Sequence, residues 1–391
     1  MTDTPSALGE IAAMRIQAAD HRARITSNTP AAIDWLIRYF GAWWQAEPVP
    51  ADAHDDVTVH ADALVDQVRY EYISTAVDWL PHTTATYARQ PLRLARQDGA
   101  LLAHGDRLAY RVGADGHITV VAADPGLAEH AASAAGRLAR EALRGALARD
   151  GWVLLHASAA VHDGRAILAF GGKGSGKTST VLQLGRAYRW AVLANDRLFA
   201  RSAADGAVEL LPWPAAAAIG LGLLDAGGWY DAVAAAAASG ELHSSTSKAA
   251  LAALRARTRT PQHDGGREAK AQLYPDQFTS LLGLPLATAA RAAALVFPAI
   301  DLHVAPAIHP GGRDLHDDDT FAAATEDRYP NVFALRQFES AAARTAVFAR
   351  LHRLPRYTVT LGGDIADNTP VLGGVTLPVG DCGGTVPLDR A

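Results

Sequence analysis

Cysteine is almost missing from this chain of 391 residues: Cys382 stands alone, so no intrachain disulfide can form and a reducing, cytoplasmic setting is expected. No apolar run is long enough for a bilayer; residues 215–224 are too short and too rich in glycine and alanine. Residues 1–20 carry acids and lack an apolar stretch, so they do not read as a signal peptide. An excess of one charge is also lacking. The net charge of −5 and a pI near 6.3 give no general electrostatic grip on nucleic acid or membrane, and neither is an expected partner. Internal repeats are absent too. What remains is 49% apolar and 20% charged, a composition that builds globular cores, and the length suggests two or three domains.

Residues 22–26 read as a short strand, and Thr29 with Pro30 supply an N-cap and a first-turn proline for a helix reaching about Trp44. Trp35, Ile37, Tyr39, Phe40, Trp43 and Trp44 suit a helix buried against a sheet; a ligand-stacking aromatic site is the alternative. Residues 57–60 suggest another strand, and 108–112 with 117–121 a hairpin around Gly113 and Gly116. A small N-terminal α+β domain without a chemical motif is therefore expected over residues 1–123.

A helix restarts at Asp124 and Pro125 and runs to about Arg149, with Leu127, Ala131, Ala134 and Leu138 on one face. It reads as a bridge opening a second domain, 124–366. Two apolar strands follow, 152–161 and 165–170, joined at Asp163-Gly164, a hairpin signal. Residues 191–194, 293–297 and 357–361 are further strand candidates, so the class is α/β: a mixed sheet with flanking helices. The alanine-rich 232–240 and the arginine-rich 255–267 read as mobile, the latter as an exposed loop or an acceptor-docking lid. An irregular tail is expected over 367–391.

One motif carries chemistry. Gly171-Gly172-Lys173-Gly174-Ser175-Gly176-Lys177-Thr178 matches G-x-x-x-x-G-K-[ST] in full, directly after an apolar strand and before an amphipathic helix bearing Val181, Leu184 and Tyr188. Glycines let the backbone turn its N–H groups inward around phosphates, and the helix that opens there adds the positive end of its dipole. Lys177 is placed to reach the β- and γ-phosphates of ATP, Thr178 to put its hydroxyl on Mg²⁺, and Thr180 completes the nucleotide-binding set. The motif serves NTPases, switches and kinases alike.

Around it stand His156-Ala157-Ser158 on the preceding strand, and Ala191-Val192-Leu193-Ala194-Asn195-Asp196 shortly after the helix. This order resembles the kinase domain of HPr kinase/phosphorylase, a group with phosphoenolpyruvate carboxykinase as a distant member. There a strand ends in His-Gly/Ala-Ser, a hairpin and P-loop follow, and the strand after one helix closes on Asp-Asp. The likeness is good over about residues 150–200 and general as far as Leu361, where Leu354-Pro355-Arg356-Tyr357 looks like a closing strand. It implies a P-loop kinase domain, with His156 lining the active site near the transferred group or the aspartate. The family's first aspartate is the base; here Asn195 stands there and cannot accept a proton as a carboxylate does. Asp196 matches the second and is implied as base toward the acceptor hydroxyl or as Mg²⁺ ligand, with Asn195 orienting substrate or metal water. The reverse, phosphorylase reaction is then not expected. No segment matches the family's further metal-binding glutamate; Glu241, Glu268 and Asp317-Asp318-Asp319 are candidates by composition, the acidic run reading first as a solvated loop. Lys270 could neutralise charge in the transition state or be a surface lysine.

The expected function is transfer of the γ-phosphate of Mg-ATP to a hydroxyl of a small molecule or peptide. The alternatives are an HPr-type protein-serine kinase and a non-catalytic nucleotide-binding regulator; a homo-oligomer is left open. An ordinary P-loop ATPase would need a Walker B acid after residues 294–297, but Pro298 and Ala299 follow and Asp301 is displaced.

Overall fold

The computed structural model describes residues 11–53, 56–88, 90–264, 267–321, 330–335, 339–375, 377–378 and 385–386. Cys382 lies outside them. The chain is mixed α/β and divides into two compact units, 1–151 with 322–340 and 152–321 with 341–391. Among the described residues, no helix is long and apolar enough to cross a membrane.

The first unit runs β1 (Ala12–Ala18), β2 (His21–Ser27), α1 (Pro30–Trp44), β3 (Glu47–Val49), β4 (Val59–Val65), α2 (Gln67–Trp79), β5 (His82–Tyr87), β6 (Gln90–Gln97), β7 (Ala100–His104), β8 (Leu108–Val112), β9 (Ile118–Ala122) and α3 (Ala128–Arg149). One sheet forms in the order β3-β1-β2-β4-β9-β8-β7-β6-β5. The helix expected from Pro30 is there, with Ile33, Leu36, Phe40, Trp43 and Trp44 buried, each large side chain contributing roughly 1.5–3 kcal/mol. Thr29 takes the N-cap position, but its side chain does not cap. The expected hairpin is β8–β9. All five residues of β9 are buried, because α3 packs against it from one side and α2 from the other.

The domain boundary expected at residue 124 moves. Helix α3 packs on β2, β4, β9 and α1, so it completes the first unit's core and opens nothing. Its small face explains this: Ala131, Ala132, Ala135, Gly136 and Ala139 let a neighbouring helix and sheet approach closely. Helix α2 was not foreseen, since Ile73 and Val77 are its only buried residues while Val68, Tyr72 and Trp79 are exposed. Its start is fixed by Asp66, which accepts from the Arg69 N–H at 2.9 Å.

The second unit continues with β10 (Val153–Leu155), β11 (Ala157–His162), β12 (Arg165–Phe170), α4 (Lys177–Tyr188), β13 (Ala191–Ala194), β14 (Leu198–Ser202), β15 (Val208–Pro212), β16 (Ala217–Gly220), α5 (Leu221–Ala226), α6 (Tyr230–Ala238), α7 (Lys248–Arg255), β17 (His263–Asp264), β18 (Arg267–Glu268), β19 (Lys270–Leu273), α8 (Asp276–Ser280), β20 (Ala290–Ile300), β21 (Ala307–Pro310), α9 (Ala341–Leu351), β22 (Arg356–Leu361) and α10 (Ile365–Leu372), with the short pair β23 (Leu377–Pro378) and β24 (Thr385–Val386) beyond. Its main sheet is ordered β10-β14-β15-β20-β12-β11-β13, and β22 also pairs with β20. Strands β12, β20 and β22 are parallel, so the loops at their carboxyl ends lie on one edge of the sheet, where open α/β sheets bind ligands. Helix α4 packs on β11, β12 and β13, while Val347 and Leu351 of α9 join Leu168, Phe170, Leu198, Leu210 and Leu295 in one core.

Several expectations are corrected here. The single strand 152–161 is two: β10 pairs with β14, β11 pairs with β12 and β13, and the chain changes partners at His156. Residues 232–240, expected as a mobile stretch, are mostly helix α6, as alanine's propensity favours, with Val233, Ala234, Ala236 and Ala237 buried. The arginine-rich segment is largely exposed over 255–263, as expected, and is tied down at Arg259, which pairs with Asp225 and Asp231 and stacks over the Tyr230 ring. The irregular tail expected from Asp367 starts as helix α10, capped by Asp364.

Candidate functional site

The phosphate loop joins β12 to α4, and its glycines do what only glycine does cheaply. Gly171, Gly174 and Gly176 have φ of +153°, +83° and +105°. A Cβ on Gly176 would sit 3.0 Å from Leu361 and 3.1 Å from Ile300, so the loop also lies against the ends of β22 and β20. A Cβ built on Gly172 or Gly174 meets nothing within 4 Å; the cradle opens outward there.

Lys177 is buried, and its ammonium donates to the carbonyls of Gly171 and Gly172, the latter at 3.3 Å. Burial pushes this ammonium down from its ordinary pKa, against the pull of Asp196 and Asp319. Such a lysine gains when an anion arrives. Thr180 is fully buried and its hydroxyl donates to the Gly176 carbonyl at 3.0 Å, so it secures the first turn of α4 rather than facing the cleft.

A cavity of about 490 Å³ opens over the loop. Gly172 to Ser179 form its floor. Its polar lining includes His156, Asp196, Glu268 and Lys270; Ile300, Leu302, Leu361 and Ile365 are its apolar lining, with Ile300 and Leu361 meeting the loop at Gly176, and Gly362, Gly363 and Asn368 line it too. Gln183, one turn beyond Ser179 on the same face of α4, also lines it.

His156 and Asp196 come from the two neighbours of the P-loop strand on one side. His156 sits at the break before β11, where its N–H donates to the Asp319 carbonyl at 2.8 Å. Its Nε2 lies 3.3 Å from Asp196 Oδ1, while Arg197 Nε lies 3.4 Å from Oδ2. Desolvation in the cleft would raise the Asp196 carboxyl, but the His156 hydrogen bond and the charges of Arg197, His156 and Lys177 outweigh it and hold the group well below the usual range. Asp196 is therefore an ionised carboxylate facing the cradle. Arg197 in turn stacks over the Phe321 ring at 3.9 Å, and that ring meets His156 at 5.0 Å.

Asn195 does not line the cavity; its carbonyl accepts from the Ser158 hydroxyl, tying β13's end to β11. Of the composition-only candidates, Glu268 and Lys270 reach the cavity, 3.8 Å apart, while Glu241 does not line it. Glu268 also packs so close to Gly220 that a Cβ there would overlap it. The acidic run is only partly the solvated loop expected: Asp317 and Asp318 are exposed, but Asp319 is buried and bound by both Arg313 nitrogens at 2.6 Å. Asp301 accepts from the His303 N–H at 2.9 Å and lies outside the cavity lining, which leaves the Walker B alternative without its acid. Gln183, Ile300 and Leu302 were missed. A lone glutamine inside a helix and apolar residues after a buried strand carry no spacing signal.

Among the described residues, no group of three or more His, Cys, Asp or Glu could hold a metal by itself. A Mg²⁺ that arrives on phosphate oxygens needs fewer protein ligands, and Thr178 with ionised Asp196, both on the cavity, fit that requirement. No protein-family model matches the chain, and no curated protein matches it as a relative.

Proposed function

We propose that the second unit is a P-loop kinase domain of the HPr kinase-like type. On this reading it transfers the γ-phosphate of ATP to a hydroxyl of a small molecule or peptide. The observation that carries the proposal is the meeting, in one cleft, of the Lys177 cradle with an ionised Asp196 held between His156 and Arg197.

Phosphoryl transfer requires positioning and charge stabilisation more than covalent chemistry. Loop N–H groups and Lys177 bind the phosphates; Lys270, on the same cavity, is available to charge that builds on the transferred group. Thr178 and Asp196 would hold Mg²⁺, which offsets phosphate charge. Asp196, or Glu268 beside Lys270, is the carboxylate available to take the proton of an acceptor hydroxyl. The strand order supports the resemblance noted in the sequence, because β12 has an antiparallel neighbour, β11, bearing the His-Ala-Ser segment on the side of Asp196.

A second reading, a nucleotide-binding regulator without turnover, draws on Asn195 standing where the family's base stands. Incubation with Mg-ATP and a pool of hydroxyl metabolites and peptides, following the γ-phosphate by mass, separates the two. A phosphorylated product absent with Lys177→Ala supports the kinase. Saturable binding with neither product nor slow hydrolysis would favour the regulator.

A further inference from the structure

Resting on that nucleotide reading, we infer that Gln183 reads the edge of a purine base and that the site accepts adenine and guanine alike. With phosphates in the cradle, the base must lie toward one end of the cavity. The polar lining, His156, Asp196, Glu268 and Lys270, carries the charged groups that transfer needs. In the apolar lining Ile300 and Leu302 are 44% and 67% exposed, an unusual state for large apolar side chains and a suitable cover for a flat ring.

Gln183 lines the same cavity from α4. Helix α10, which brings Ile365 and Asn368 to the cavity, packs against α4, and the Tyr188 hydroxyl donates to the Thr369 carbonyl at 2.9 Å. Ser179 and Gln183 are one turn apart on one face, a rise of about 6 Å along α4, so Gln183 lies on the cavity wall one turn beyond the loop. The Gln183 side chain is nine-tenths buried or more, yet its Oε1 has no hydrogen-bond partner among the described residues. Buried polar groups are nearly always satisfied, so this amide points to a ligand. Asn368, the other amide there, is committed: it accepts from the Gly362 N–H at 2.7 Å and donates to the Gly362 carbonyl at 3.1 Å.

A carboxamide offers one donor and one acceptor and can turn end for end. It meets the 6-amino and N1 positions of adenine in one orientation, and the 6-oxo and N1–H positions of guanine in the other. A carboxylate in its place would present two acceptors, matching only the N1–H and 2-amino donors of guanine.

The test is equilibrium binding of ATP, GTP and inorganic tripolyphosphate to the full chain, as wild type, Gln183→Leu and Gln183→Glu, with thermal unfolding to confirm folding. Wild type should bind ATP and GTP within a few-fold of each other, and Gln183→Leu should weaken both about tenfold while leaving tripolyphosphate unchanged. Gln183→Glu should turn the preference toward GTP. Unchanged purine affinities in Gln183→Leu overturn the role of Gln183 and leave the phosphate loop standing. A wild-type preference of about tenfold or more for one purine overturns the two-way pairing, whatever the variants do. Failure of all three ligands to bind wild type removes the nucleotide reading itself.

Discussion

His156 Nε2 lies 3.3 Å from Asp196 Oδ1, and the two residues stand just before β11 and just after β13, which the sequence separates by the whole phosphate loop and its helix. The contact helps keep the Asp196 carboxyl ionised, together with Arg197 and Lys177. Replacing His156 with Ala should move the Asp196 pKa up toward the ordinary carboxylate value of about 3.9, and the acid limb of nucleotide-dependent activity with it. The same shift has a stability sign. A depressed carboxylate contributes stability that is present above its unfolded pKa and fades as pH falls through the folded value, so His156→Ala should lose stability at neutral pH relative to strongly acid pH. A pH–activity profile with acid unfolding checks both, and an unmoved acid limb would show that His156 does not govern this carboxylate.

Lys177 should separate binding from folding. Its burial disfavours the charged form, so its pKa is depressed, and between the folded and unfolded values the unfolded chain holds more protons. The apo protein therefore carries a penalty that persists below the folded pKa and disappears as pH rises through the unfolded one. Lys177→Met should leave apo thermal stability unchanged or raised, abolish the nucleotide-induced rise in Tm, and lower turnover by about 10²–10³-fold or more. A nucleotide-induced Tm shift that survives in Lys177→Met would remove the loop from the site.

The two acids of the cleft should divide by kinetics. Asp196→Asn keeps most nucleotide affinity and loses transfer, because it removes a carboxylate and retains shape. Glu268→Gln changes acceptor use more than nucleotide affinity if Glu268 is the base, since it lines the cavity beside Lys270 and outside the loop. Each variant's kcat and nucleotide Kd, measured separately, decide between them. Unchanged turnover in Asp196→Asn, with a large loss in Glu268→Gln, transfers the base role to Glu268.

The legible part of this molecule was the part with a short-range physical signature. Eight residues from Gly171 to Thr178 specify a backbone shape, and β11, β12, α4 and β13 around them follow from apolar runs, a hairpin signal and helical period. His156 and Asp196 were legible because their strands are sequence neighbours of the loop. Glu268 comes from the β17–β18 hairpin and Lys270 from β19 beside β16, both far along the chain, and nothing local marks which of their charged residues turn inward. Helix α2 escaped because Val68, Tyr72 and Trp79 put large apolar side chains on its exposed side and blur the contrast between faces, and α6 because alanine gives no such contrast. The domain boundary failed for the same reason: a strongly amphipathic α3 announces a helix, but which core receives its face is a tertiary fact.

Within the first unit, Arg144 and Glu339 form a buried ion pair at 3.0 Å across 195 positions of sequence, with side chains 1% and 3% exposed. Removing one partner of such a pair leaves a charge in a poorly solvated place, a loss of about 3–5 kcal/mol. Glu141, 4.0 Å from Arg144, supplies part of the compensation, so Glu339→Ala should fall at the low end, about 3 kcal/mol. Urea unfolding of Glu339→Ala and Arg144→Met measures this. The double variant should recover part of the loss, because the unpaired charge is then gone.

Gly136 fixes how closely α1 and α3 pack. A Cβ at that position would sit 2.7 Å from Leu36 Cδ2 and 2.9 Å from Phe40 Cε2, and both side chains are themselves fully buried. The Phe40 ring stacks on Trp44 at 5.9 Å, so it has little room to retreat. On an ordinary helix Gly→Ala gains up to about 1 kcal/mol from propensity. Here overpacking should outweigh that gain, and Gly136→Ala is expected to destabilise the first unit by about 1–3 kcal/mol. Trimming the opposing side chain supplies the control: Leu36→Ala costs stability alone, but combined with Gly136→Ala it should cost less than the sum. Additive losses in that cycle would mean that the two helices are not held apart at this contact.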